Sequence, residues 1–175
     1  VHYDLLILAL LAAADWFNAN EAERVFFHET NKARAERGLD TLEYDSLLSK
    51  AARAHSEEMA RMGYFDHTSP VKKNRTVQKR VANAGIDTTR CIIGENIAML
   101  CRLRPEHGFS EQARPFFYRW VAEKGMEILM ASPGHRKNIL NKEYTRLGVG
   151  IALMDDGENL RIYITQVFWG EYYTR

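Results

Sequence analysis

Hydrophobic and polar residues alternate along this chain with a period that shifts from helical to extended, and each shift predicts an element. Leu5 to Ala14 is apolar at every position, which predicts a helix buried on all sides, against this molecule or a partner. Val25, Phe26, Phe27, Thr30 and Ala33 recur at helical spacing and predict a helix over 21–37, capped by Asn20 and stopped at Gly38. After a linker over 39–44, Asp45 is a cap for a second helix over 46–62 that ends at Gly63. Its inward face is Leu47, Leu48, Ala51, Ala52, Ala54, His55 and Met59. A loop over 64–70 precedes a third helix over 76–84, closed by Gly85. Ser110 caps a long helix over 111–130 with Pro115 in its first turns. Ser132-Pro133 restarts a short helix that carries His135. The period then falls to two: 147–154, the turn 155–159 and 160–169 predict a β-hairpin, with Gln166 blurring its alternation. The class is α+β.

One segment breaks the apolar rule. Gly94-Glu95-Asn96 lies between Ile92-Ile93 and Ile97-Ala98-Met99, and it reads as a turn flanked by core residues. A lone carboxylate among hydrocarbon is costly to bury, so Glu95 needs a cation, a hydrogen-bond donor or a metal beside it. His67, in Phe65-Asp-His-Thr-Ser-Pro70, and His135, in Ser132-Pro-Gly-His-Arg-Lys-Asn138, are the candidate partners. His55, on an apolar helix face, reads as a hydrogen-bonded core residue before it reads as a ligand.

Composition narrows the function classes. At 175 residues, 46% hydrophobic and 27% charged, the chain is large enough for one domain with its own core. The formal net charge of +1 gives no electrostatic support for binding nucleic acid or docking on an anionic membrane. The apolar run is too short to cross a bilayer, which takes about 20 residues, so no transmembrane span is expected. Cys91 and Cys101 are too few for a thiolate metal site; they pair only if the chain folds back at the Gly94-Glu95-Asn96 turn, and otherwise remain buried free thiols.

Taken together the motifs form a familiar series. Asn31-Lys-Ala-Arg34, Leu42-Glu-Tyr-Asp45, Ala51 to Met59, Phe65-Asp-His67, Gly94-Glu-Asn-Ile-Ala98, His135-Arg-Lys-Asn-Ile-Leu140, Leu147-Gly-Val-Gly150 and Ile164-Thr-Gln-Val-Phe-Trp169 occur in the order of one family. The chain resembles the CAP superfamily, also called SCP, which includes cysteine-rich secretory proteins, antigen 5 and pathogenesis-related 1 proteins. The few cysteines resemble its bacterial branch. The resemblance covers about 21–170, so residues 21–175 are taken as the CAP/SCP domain and 1–20 as an apolar helix outside the pattern.

The resemblance implies an α-β-α sandwich with a small central antiparallel sheet. It also implies a cavity of two histidines and two acidic residues that in some members holds zinc or another divalent ion. His67 and His135 match the histidines, and Glu95 matches the glutamate of the Gly-Glu-Asn motif, with Asn96 beside it. Glu123, three residues after Trp120, is the match for the fourth residue, with Glu127 as the alternative. The expected function is an exported binding module, secreted or associated with the cell envelope, that takes a lipid or other small apolar ligand, a peptide or a protein partner. A metal-assisted hydrolase with Glu95 as base, or a structural or adhesive domain with a vestigial site, are the alternatives. A homodimer through the N-terminal helix is one role open to residues 1–20.

Overall fold

The computed structural model describes residues 16–105 and 109–172, so the apolar run Leu5–Ala14 lies outside the described residues. Helices α1 (Ala19–Ala35), α2 (Ser46–Met62), α3 (Val77–Ala84), α4 (Arg114–Ala131) and α5 (Pro133–Ile139) surround strands β1 (Glu43–Tyr44), β2 (Cys91–Leu103), β3 (Arg146–Asp155) and β4 (Asn159–Glu171). The sheet runs β1-β3-β4-β2. It is antiparallel except for the short β1, which pairs with β3 in parallel.

Three layers follow from where the apolar side chains go. On one face Ala22 and Phe26 of α1, Phe117, Val121 and Leu129 of α4 and Ile139 of α5 pack on Ala98, Leu147, Ile162 and Phe168. On the other, Leu48, Ala51 and Ala52 of α2 and Val81 of α3 pack around Val167, and Met59 packs with Ile97 and Tyr163. The central strand β4 is therefore covered on both sides, with every residue from Ile162 to Phe168 buried. That is why Gln166 spoils a simple alternation: neither face of β4 meets water, and the Gln166 amide instead donates to Thr30 Oγ1 at 2.8 Å.

Helix α2 rests directly on β3 because Gly148 and Gly150 have no side chains. A Cβ on Gly150 would fall on the backbone of Ala52 and Arg53, and one on Gly148 on the backbone of Leu48 and Ser49. The helix is bounded as its sequence dictates. Asp45 accepts from the amides of Leu47 and Leu48, and Gly63 closes it at φ 68° in the left-handed region.

Several expectations are corrected. The Gly94-Glu95-Asn96 segment is not a turn; it lies inside the continuous strand β2, paired with Phe168, Val167 and Gln166. Cys91 and Cys101 thus sit at ten-residue separation along one strand, roughly 33 Å at strand rise, and both are free thiols. Neither is buried: Cys91 is half-buried and Cys101 exposed. Helix α1 is capped by Asn18, whose side chain accepts from Glu21 N at 3.3 Å, while Asn20 instead accepts from Arg53. Helix α4 begins at Arg114 rather than after Ser110. The linker contains β1.

Candidate functional site

Strand alternation builds the site. Because neighbours on β2 point to opposite faces, Glu95 enters the α2–α3 side and Asn96 the α4–α5 side. Glu95 is 9% exposed. Its Oε1 accepts from His67 Nδ1 at 2.9 Å, and its Oε2 forms an ion pair with the buried Arg80 of α3. Arg80 also donates to His67 O at 3.2 Å and Asn74 O at 2.8 Å. One guanidinium thus fixes the carboxylate and the backbone of the loop that carries the histidine.

A second buried carboxylate shapes that loop. Glu58 accepts from Tyr64 at 2.6 Å, from Asn74 at 2.8 Å and from Ser69. Burial pushes its carboxyl up, but the three hydrogen bonds outweigh burial and hold it below its usual range. His55 is fully buried, and its Nε2 meets Asp66 O at 3.1 Å. It is the core residue its position predicts, and it holds the loop from beneath.

The second wall wraps around the sheet edge, since β2 is the outermost strand. Asn96 donates to His135 O at 3.1 Å and to Gln166 Oε1 at 3.0 Å. Asn138 donates to Glu95 O at 3.1 Å and Asn96 Oδ1 at 2.9 Å. Gly94 is required where this wall closes, because a Cβ there would strike the Tyr144 ring and its hydroxyl. These ties place the ring of His135 beside that of His67, with centroids 6.1 Å apart.

The two imidazoles are electrostatically unlike. The hydrogen bond to Glu95 raises the pKa of His67 above its ordinary value despite burial. Burial, with a smaller contribution from the charge of His67, lowers that of His135. Burial would push Glu95 up, yet the His67 hydrogen bond and the Arg80 charge reverse this and hold its carboxyl below the usual range. His67 spends Nδ1 on Glu95 and is half exposed on its outer side. His135 Nδ1 is buried with no hydrogen-bond partner among the described residues.

The structure brings His67, Glu95, Asn96 and His135 together, but not Glu123 or Glu127. Helix α4 turns Val121, Ala122, Gly125, Met126 and Leu129 inward, which places both glutamates on its exposed face. Glu127 pairs there with Lys124 at 2.6 Å. Among the described residues no three His, Cys, Asp or Glu side chains converge as a metal-binding group. Sequence reading missed Arg80, Asn138 and Gln166. The demand of Glu95 for a cation was the available signal for Arg80, a cation beside Val81 on the inner side of α3.

Comparison with known proteins identifies the family and the fold. Residues 27–168 match the Cysteine-rich secretory protein family, CAP. The chain is 36% identical over 121 residues to the uncharacterized protein YkwD of Bacillus subtilis (strain 168), covering 69% of this chain and 38% of that protein. It is 33% identical over 148 residues to the uncharacterized membrane protein YlbC of the same organism, covering 84% of this chain and 34% of that protein. It therefore spans little more than a third of either relative. Among solved structures, an extracellular protein containing a SCP domain from Bacillus anthracis str. Ames aligns with a TM-score of 0.64 and 28% identity, over 89% of this chain and 41% of that one. An outer surface protein from Borrelia burgdorferi has the same fold, with a TM-score of 0.64 at 16% identity, over 86% of this chain and 93% of that one. With the family match over residues 27–168, the motif order and the three-layered fold all in place, this chain belongs to the CAP family.

Proposed function

We propose that this domain is an exported binding module whose cleft, at His67 and His135, takes a divalent metal of the zinc class. One observation carries the reading: among the described residues, no protein group pairs with His67 Nε2 or with either ring nitrogen of His135. His67 gives Nδ1 to Glu95 and is half exposed, and His135 Nδ1 is buried without a partner among the described residues. A carboxylate behind a histidine fixes the tautomer and strengthens the outer nitrogen as a ligand. Two imidazoles are one fewer than the three protein ligands of a usual open zinc site, so the other positions would fall to water or a partner. A metal bound there would supply Lewis-acid positions open to water or to an oxygen or thiolate of a partner. Phe65 and Met62, both exposed, add apolar surface close along the chain to His67, suited to an apolar ligand.

Export is supported by the likeness to a Bacillus anthracis protein described as extracellular. Among the described residues no helix is long and apolar enough to cross a membrane. Hydrolysis with Glu95 as base is the weaker reading. Both its oxygens are engaged, by His67 and Arg80, and its depressed pKa makes it a poor acceptor for a proton from water.

Calorimetric titration with zinc at neutral pH tests the proposal. The expected result is one ion per chain, and no detectable binding by the His67→Ala/His135→Ala double variant. Imidazoles bind metal only when neutral. Because the His67 pKa is raised, zinc affinity begins to fall as pH drops from above the ordinary imidazole value of about 6.5. Equal binding by the wild type and the double variant contradicts the proposal.

A further inference from the structure

The two edges of the sheet are finished differently. Beyond the two-residue β1, the outer amides of Val149 and Ile151 in β3 are taken by side chains. Val149 N donates to Ser49 Oγ at 3.2 Å, and Ile151 N to the Glu23 carboxylate at 3.0 Å. At the opposite edge the outward groups of β2 are fixed by register. Val149 and Ile151 point away from β4 and pair with Gln166 and Ile164, which therefore turn toward Asn96 and Ala98. The odd-numbered residues of β2 consequently face outward, and Asn138 confirms this by donating to Glu95 O. By the same parity the backbone groups of Met99, Cys101 and Leu103 face outward, and among the described residues no protein group pairs with them on that side.

Their side chains are uncovered as well: Met99 is 40% and Leu103 76% exposed, and Cys101 is exposed. Native sheets usually blunt a long apolar edge with charge, proline or a covering element. Residues 96–104, Asn-Ile-Ala-Met-Leu-Cys-Arg-Leu-Arg, contain no proline and no carboxylate.

We propose that the β2 edge from Met99 to Leu103 receives an extended peptide segment of a partner as a fifth strand. Peptide backbone supplies the alternating donors and acceptors that such an edge lacks, with side-chain pockets adding selectivity. The partner segment is apolar at alternate positions and acidic elsewhere: Arg104 is already paired with Asp155 at 2.6 Å, but Arg102, whose guanidinium lies over the Phe109, Phe117 and Trp120 rings, has no carboxylate partner among the described residues. Glu95 lies on the same edge, so a segment of about seven residues, roughly 23 Å long, extends from Leu103 toward the His67–His135 cleft. This inference rests on the reading of the domain as a binding module and names its partner; it does not depend on metal at the histidines.

The test uses a library of capped peptides of about seven residues, with Val, Ile, Thr or Tyr at alternate positions and either Glu or Lys between them. Glu-containing peptides are expected to bind and to slow amide exchange at Met99, Cys101 and Leu103 at least about tenfold. Leu100 and Arg102, whose amides already face β4, are expected not to change. N-methylation of the peptide residues that face β2 abolishes binding, whereas methylation at the other parity does not. Cys101→Pro removes one outward N–H, and Met99→Lys/Leu103→Lys charges the edge without touching the core; both variants lose the peptide. Three results overturn the proposal: no peptide bound at about 1 mM, binding without protection of those three amides, or dimerisation of the chain through this edge in sedimentation. Zinc titration of Met99→Lys/Leu103→Lys is expected to match the wild type, so failure here is distinguishable from failure of the two-histidine reading.

Discussion

Replacing Arg80 by methionine is expected to cost about 3–5 kcal/mol of stability at neutral pH, the usual penalty for stripping one partner from a buried ion pair. Arg80 and Glu95 are each only a few per cent exposed at the side chain, 3% and 4%. The substitution keeps most of the buried volume and removes the charge, together with the donors to His67 O and Asn74 O. Its pH dependence identifies the cause. In the wild type the Glu95 pKa lies below its ordinary value, so its contribution is present above the unfolded pKa of about 4.3 and is lost as pH falls through the lower folded value. Without Arg80 one of the influences that hold the carboxyl down is gone, so the Glu95 pKa rises relative to the wild type while the His67 hydrogen bond still opposes burial. Protonating the carboxyl therefore costs the variant less than the wild type, and its deficit shrinks as pH falls toward about 4. Urea unfolding at several pH values measures this, and Arg80→Met/Glu95→Gln should recover part of the loss at neutral pH. A deficit that is constant with pH would assign the effect to packing instead.

Gly150→Ala is the second large effect, expected at about 3 kcal/mol or more. The added methyl meets the main chain of Ala52 and Arg53 in the middle of α2. A side chain can rotate away; a helix backbone cannot, so α2 must lift from β3 as a unit. Leu48, Ala51 and Ala52 would lift with it from their contact with Val167, and Arg53 would strain its ion pair with Glu23. Gly134→Ala is the control. It sits in helix α5 with open space where the methyl would go and no left-handed φ, so its effect should be small and, by helix propensity, stabilising by up to about 1 kcal/mol. Thermal or urea unfolding of the two variants side by side checks the contrast.

Local signals were legible in the sequence wherever local chemistry decides. Asp45, Gly63 and Gly85 act as the caps their types predict, and the hairpin of β3 and β4 follows from period two. Apart from the shifted starts of α1 and α4, the misreadings are tertiary. Gly94-Glu95-Asn96 resembles a turn because two polar residues follow a glycine. Its reason lies elsewhere: Gly94 admits Tyr144, Glu95 meets Arg80 on one face, and Asn96 meets His135 O and Gln166 on the other. Nothing in a one-dimensional pattern shows a strand with polar anchors on both sides. Glu123 fails for the complementary reason. Its spacing from Trp120 fits the family pattern, but the phase of α4 is set by the buried row from Phe117 to Leu129, and that row turns Glu123 outward. Arg80 was hidden because a cation in a short helix looks like surface until its partner is placed.

Nitrogen-resolved NMR of the histidine side chains, before and after zinc, tests the account at its centre. In metal-free protein, neutral His67 should carry its proton on Nδ1, the tautomer dictated by Glu95. Zinc should then shift His67 Nε2 and a ring nitrogen of His135 together and leave His55, bound to Asp66 O, unmoved. A neutral His67 protonated on Nε2, or histidine signals that ignore zinc, would contradict it.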